Sequence, residues 1–140
     1  MNTLKNAVAA SIVLIGASAH AQVLDTYTGA ELFEQFCASC HGVGGKGDGP
    51  VAGGLEIAIP DLTYLAADNG GELPTEYLRT VVDGRYVVTA HGTRYMPIWG
   101  YEFWIAQGAD DEAALLVEVI MANLIGYIES IQDARSELQP

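Results

Sequence analysis

At 140 residues, with 16 Gly and 5 Pro in a chain that is 50% hydrophobic and 17% charged, the sequence is that of one globular domain, which excludes collagenous, disordered and multidomain architectures. The formal net charge of −12 comes from 18 Asp and Glu against 6 Lys and Arg. That balance excludes nucleic acid and disfavours a polyanionic membrane surface, because both need clustered cations; it leaves solubility in an exporting cell, or steering toward a basic partner, as its uses.

Residues 1–21 read as a secretory signal: Lys5 gives a positive n-region, 7–17 is an apolar run, and Ala19-His20-Ala21 is an A-x-A cleavage site that leaves Gln22 first. The apolar run is too short to span a bilayer. The mature domain is then 22–140.

Thr28, with Glu31 three residues on, is a capping-box signature, and Leu32, Phe33, Phe36, Cys37 and Cys40 then fall on one face of an amphipathic helix. From Gly42 to Pro60 the glycines predict a long irregular loop. A short helix is predicted from about Pro74 through Tyr77, Leu78, Val81 and Val82, ending at Gly84. Residues 85–108 show no sustained period and predict a functional loop with one helical turn. The last helix starts at Asp110, Asp111 and Glu112, with Leu115, Leu116, Val119, Ile120, Leu124, Tyr127, Ile128 and Ile131 on its buried face. Glu118 and Glu129 leave too short an uncharged run between them for a membrane span, so it reads as a core helix, with a frayed tail after Ile131.

Cys37-Ala38-Ser39-Cys40-His41 has the C-x-x-C-H spacing of c-type haem attachment. On a helix the two cysteines lie one turn apart, so their sulfurs can meet two vinyl groups of one macrocycle, and His41 can turn an imidazole nitrogen to the iron. A redox dithiol would call for a preceding strand in a βαβ unit, which the sequence lacks, and a zinc site would call for four ligands, for which the mature chain offers only two Cys and two His beyond its carboxylates. Export to the compartment where haem is attached favours the haem reading. The second axial position has three candidates: Met96, His91 and Met121. Met121 falls at helical spacing and reads as core, whereas Met96 precedes Pro97 and is biased into an extended loop from which a thioether can reach iron. His91 is the rival.

Gly29 to Phe33 ahead of the C-x-x-C-H motif, Gly47-Asp48-Gly49-Pro50, Tyr95-Met96-Pro97 and the terminal helix around Ile125 to Ile128 together resemble class I cytochrome c, the small single-haem family of the bacterial periplasm. The resemblance spans Thr28 to about Ile131. It implies an all-α fold around one covalently bound haem c, with Met96 as distal iron ligand, the Pro50 carbonyl accepting a hydrogen bond from the His41 ring, and the first and last helices crossing near Gly29 and Tyr127. Arg85 and Arg94 are candidates to pair the propionates, and Trp99 and Trp104 read as packing residues, with Trp99 also a candidate to line the pocket. The chain lacks the lysine-rich face of mitochondrial-type relatives, so their docking mode does not carry over.

The function expected is periplasmic transfer of one electron between a redox donor and acceptor, with iron held by His41 and Met96 and no catalytic residues. Two alternatives stand beside it. One is the cytochrome subunit of a periplasmic dehydrogenase or oxidase complex; the other is a gas- or peroxide-binding haem protein if Met96 does not ligate.

Overall fold

A hydroxyl at Thr28 starts the first helix in the way its spacing predicts: Thr28 Oγ1 accepts from the Glu31 N–H at 3.3 Å, while Glu31 Oε2 accepts from the Thr28 N–H at 2.8 Å. The Thr28 N–H, and then the Thr28 hydroxyl donating to Glu31 Oε2 at 2.7 Å, also hold the exposed Glu31 carboxyl below its ordinary pKa. The structure, a computed structural model, describes residues 24–84 and 96–133. Its helices are α1 (Gly29–Phe36), α2 (Ala38–His41), α3 (Leu65–Asp68), α4 (Thr75–Asp83), α5 (Trp99–Ala106) and α6 (Asp111–Ser130). Among the described residues there is no strand, as the all-α class requires. The signal reading of residues 1–21 lies outside them.

The single helix expected through Cys40 is broken at Cys37, whose φ of −115° interrupts the regular helix and starts α2. The break is slight: the Cys37 N–H still donates to Phe33 O and the His41 N–H to Cys37 O, both at 2.9 Å.

α1 crosses α6 at a glycine. A Cβ on Gly29 would overlap the Asn123 carbonyl and sit 2.7 Å from Tyr127 Cβ, so only hydrogen fits there. Phe33 and Tyr127 rings meet beside it with centroids 5.1 Å apart, and Asn123 Nδ2 donates to Tyr27 O at 3.2 Å. The crossing near Gly29 and Tyr127 is therefore present.

α4 runs between the expected boundaries, following Pro74 and ending where Gly84 takes φ 68° and returns its N–H to Thr80 O. The stretch before α6 differs from its expectation. Instead of one helical turn in a loop, Trp99–Ala106 forms the two-turn α5. Its sequence is apolar nearly all round, so no period betrays it. Phe103 is fully buried, and Gly100 lies against the Asp83 backbone and side chain, where a Cβ would not fit.

α6 is capped by Asp110, whose carboxylate accepts from the Ala113 N–H at 2.8 Å. Its buried face is Ala113, Val117, Ile120, Met121, Leu124, Ile125 and Ile128, which keeps Ile120, Leu124 and Ile128 of the expected set and corrects Leu115 and Val119. Leu115 is 70% exposed and Val119 45% exposed; both point outward. By length and composition α6 could cross a membrane, yet it packs against α1, α4 and α5 as the core helix, and Glu118 on its surface pairs with Arg79 of α4. The tail expected to fray beyond Ile131 is tied down at Gln132 and Asp133: the Asp133 N–H donates to Thr63 O at 2.7 Å. Residues 134–140 lie outside the described part.

Candidate haem pocket

Cys37, at the break, and Cys40 and His41 of α2 lie together on the wall of one cavity. His41 Nδ1 lies 3.2 Å from the Pro60 carbonyl. A carbonyl can only accept, so Nδ1 carries the hydrogen and Nε2 keeps a lone pair. Burial holds the ring's pKa below its ordinary value, only partly offset by the Pro60 carbonyl, which favours this neutral form. Such an imidazole is ready to bind a metal through Nε2.

No disulfide joins Cys37 and Cys40. Burial, and then the neighbouring Cys40, push the Cys37 thiol up to about 12. A dithiol oxidoreductase depends on a thiolate stabilised near neutral pH, so this environment is the reverse of what that reading needs.

The acceptor for the His41 ring is Pro60, and the expectation of Pro50 is corrected. Gly49 and Val51 fold back on the outside of α2, their N–H groups donating to Cys40 O and Ser39 O at 3.1 Å, and Pro50 between them is exposed. Meanwhile the Gly47 N–H donates to His41 O at 2.8 Å, and the missing side chain of Gly47 leaves room for the Ile59 backbone. That close passage brings Pro60 to the ring. Sequence spacing alone does not separate two prolines that follow one histidine through a glycine-rich loop.

The cavity has a volume of about 460 Å³. Phe33 and Phe36 of α1, Leu78, Val81 and Val82 of α4 and Ile128 of α6 line it, with Leu55, Ile57, Ile59, Pro60 and Leu62 from the loop and Met96, Pro97 and Trp99 from the segment leading into α5. An aromatic cluster steadies that last segment: Trp99 stacks on Phe103 at 5.7 Å, and Phe36 meets Trp99 at 5.4 Å and Phe103 at 5.1 Å. Predominantly apolar walls of this size, with two thiols and one imidazole among them, suit a flat hydrophobic macrocycle anchored by sulfur.

Of the residues singled out from sequence, Cys37, Cys40, His41, Met96 and Trp99 meet at the cavity and Pro50 does not. Met121 is core, 1% exposed. Trp104 closes the turn into α6, its Nε1–H donating to Asp110 O at 3.0 Å. His91, Arg85, Arg94 and Tyr95 lie outside the described residues. The lining residues missed from sequence are chiefly Leu55, Ile57, Ile59 and Pro60. A signal for the first three was present, since Leu55-Glu56-Ile57-Ala58-Ile59 alternates apolar side chains within a segment read only as loop.

A family model described as cytochrome c oxidase, cbb3-type, subunit III matches residues 25–116, from the turn ahead of α1 into the first turns of α6. The chain belongs to this family. No curated protein and no solved structure matches significantly. As a member of the cytochrome c family the chain is a haem electron-transfer protein with covalently bound haem c and its iron, and the cavity's composition fits that group.

Proposed function

We propose that this cytochrome is a periplasmic single-haem carrier, exported through residues 1–21 and folded as a domain over 22–140, with haem attached at Cys37 and Cys40 and iron held between His41 and Met96. When bound, the haem supplies an iron that cycles between ferric and ferrous states. The chain's own residues do the rest. Cys37 and Cys40 anchor the macrocycle; His41 presents Nε2 while its Nδ1–H is held by Pro60; Met96 offers a thioether; and the apolar walls exclude water from the metal. The observation that carries this reading is the convergence of Cys37, Cys40, His41 and Met96 on one apolar cavity. Its electron donor and acceptor are redox proteins, the partner surface basic to match the acidic chain.

The test is haem staining after denaturing electrophoresis of the exported protein, together with its mass. The carrier reading expects a stained band, a mass equal to the chain from Gln22 plus one haem, and loss of stain in the double variant Cys37→Ala, Cys40→Ala. A mass equal to the bare chain rejects it.

The family match favours a second reading, in which the same haem domain works as the cytochrome subunit of an oxidase complex. Copurification in a stable large assembly supports the subunit, and a freely diffusing monomer supports the carrier. The gas- or peroxide-binding alternative requires an open iron position, which the presence of Met96 on the cavity wall disfavours.

A further inference from the structure

Gln132, two residues beyond α6, makes three hydrogen bonds with one carboxamide. Nε2 donates to Leu62 O at 2.7 Å and to Ile128 O at 2.8 Å, and Oε1 accepts from the Ala66 N–H at 2.9 Å. Two carbonyls facing the nitrogen and one N–H facing the oxygen leave a single sensible orientation for the amide. Leu62 is thereby gripped from both sides, because its own N–H donates to Gly45 O at 2.7 Å. Two residues before it stands Pro60, which has no N–H with which to anchor itself. Its carbonyl is therefore held against His41 Nδ1 through its neighbours, the Ile59 backbone packed on Gly47 on one side and the hydrogen-bonded Leu62 on the other.

We propose that Gln132 is a positioning residue for the axial histidine: by clamping Leu62 to the end of α6 it fixes the Pro60 carbonyl on His41 Nδ1–H, and so sets the orientation and basicity of the imidazole toward iron. The inference rests on the reading of His41 as iron ligand. A well-placed acceptor at Nδ1 makes the imidazole a stronger electron donor, which favours ferric iron; a loosened one makes it weaker and raises the reduction potential.

Three variants of the full haem-loaded protein test this. Gln132→Met keeps the length of the side chain and removes all three bonds. Gln132→Glu keeps an acceptor for Ala66 but has no donor for Leu62 or Ile128. Ser130→Ala deletes a hydroxyl that donates to Tyr127 O at 2.6 Å, at the same helix end but without touching Leu62. The readouts are the reduction potential by redox titration and the solvent exchange of the His41 Nδ1–H proton in the diamagnetic ferrous protein.

The expected result is an upward shift in potential and faster proton exchange in both Gln132 variants, with neither change in Ser130→Ala. Gln132 variants that lose thermal stability while potential and exchange stay at wild-type values overturn the proposal, leaving a clamp of the fold alone. If Gln132→Met does not retain haem, Gln132→Glu decides in the same terms. A wild-type protein with no histidine-ligated haem spectrum refutes the axial reading itself, which separates that failure from a failure of Gln132.

Discussion

Met96 reaches the cavity because of its neighbour. Pro97 keeps the preceding residue out of helical geometry, and α5 begins only at Trp99, so the thioether is carried on a bend outside the helix and is half-buried against the core. Met96→Ala should leave haem attached through the cysteines, abolish the spectroscopic signature of a thioether on iron and lower the reduction potential; an unchanged spectrum moves the assignment to His91. At this scale the sequence was legible where covalent chemistry dictates spacing. Cys37, Cys40 and His41 stand at the spacing of the motif and line the cavity, and Met96, singled out among few sulfur and imidazole side chains, lines it too. Pro60 was not legible in the same way. Any backbone carbonyl can accept from a histidine ring, so only the path of the chain past Gly47 decides which one does.

The contact between α1 and α6 depends on the absence of a side chain, and that makes it the element-scale feature most open to test. Gly29→Leu should destabilise the domain by about 1–3 kcal/mol or more and impair haem retention, since the Asn123 carbonyl is backbone and cannot step aside. Gly126, on α6, is the control: a Cβ there meets nothing within 4 Å, and Gly126→Ala should raise stability by up to about 1 kcal/mol through helix propensity. Thermal unfolding of both variants checks the pair, and a Gly29→Leu protein of normal stability rejects the close crossing. Helices whose ends carry chemical signals were legible, as at Thr28, Gly84 and Asp110. The buried face of α6 was not, because Leu115 and Val119 are as apolar as the residues that are buried, and rotation about the helix axis is set by packing against Gly29 and by the Asn123 amide. α5 escaped for a related reason: a helix apolar on all sides has no moment to detect.

For the whole molecule, the question is how a strongly acidic cytochrome meets its partner. The chain carries a net charge of −12, and the propionates of a bound haem add to it. Encounters between redox proteins are small and transient, with interfaces below about 1,200 Å², so long-range charge governs how often partners meet more than how firmly they hold. Around the cavity, however, Leu55 is 40% exposed and Val81 37% exposed, and both belong to its wall. An apolar rim is thus available for short-range contact, and two accounts of docking compete. If attraction to a basic surface dominates, the second-order electron-transfer rate with the physiological partner should fall steadily as ionic strength rises through about 0.1 M, where the Debye length shrinks to about 10 Å. If the rim dominates, the rate should be flat or rise with salt, and Leu55→Ser with Val81→Ser should slow it at every ionic strength. Stopped-flow measurement across an ionic-strength series, on the native protein and the double variant, separates the two, and a flat dependence in the native protein leaves its acidity to solubility alone.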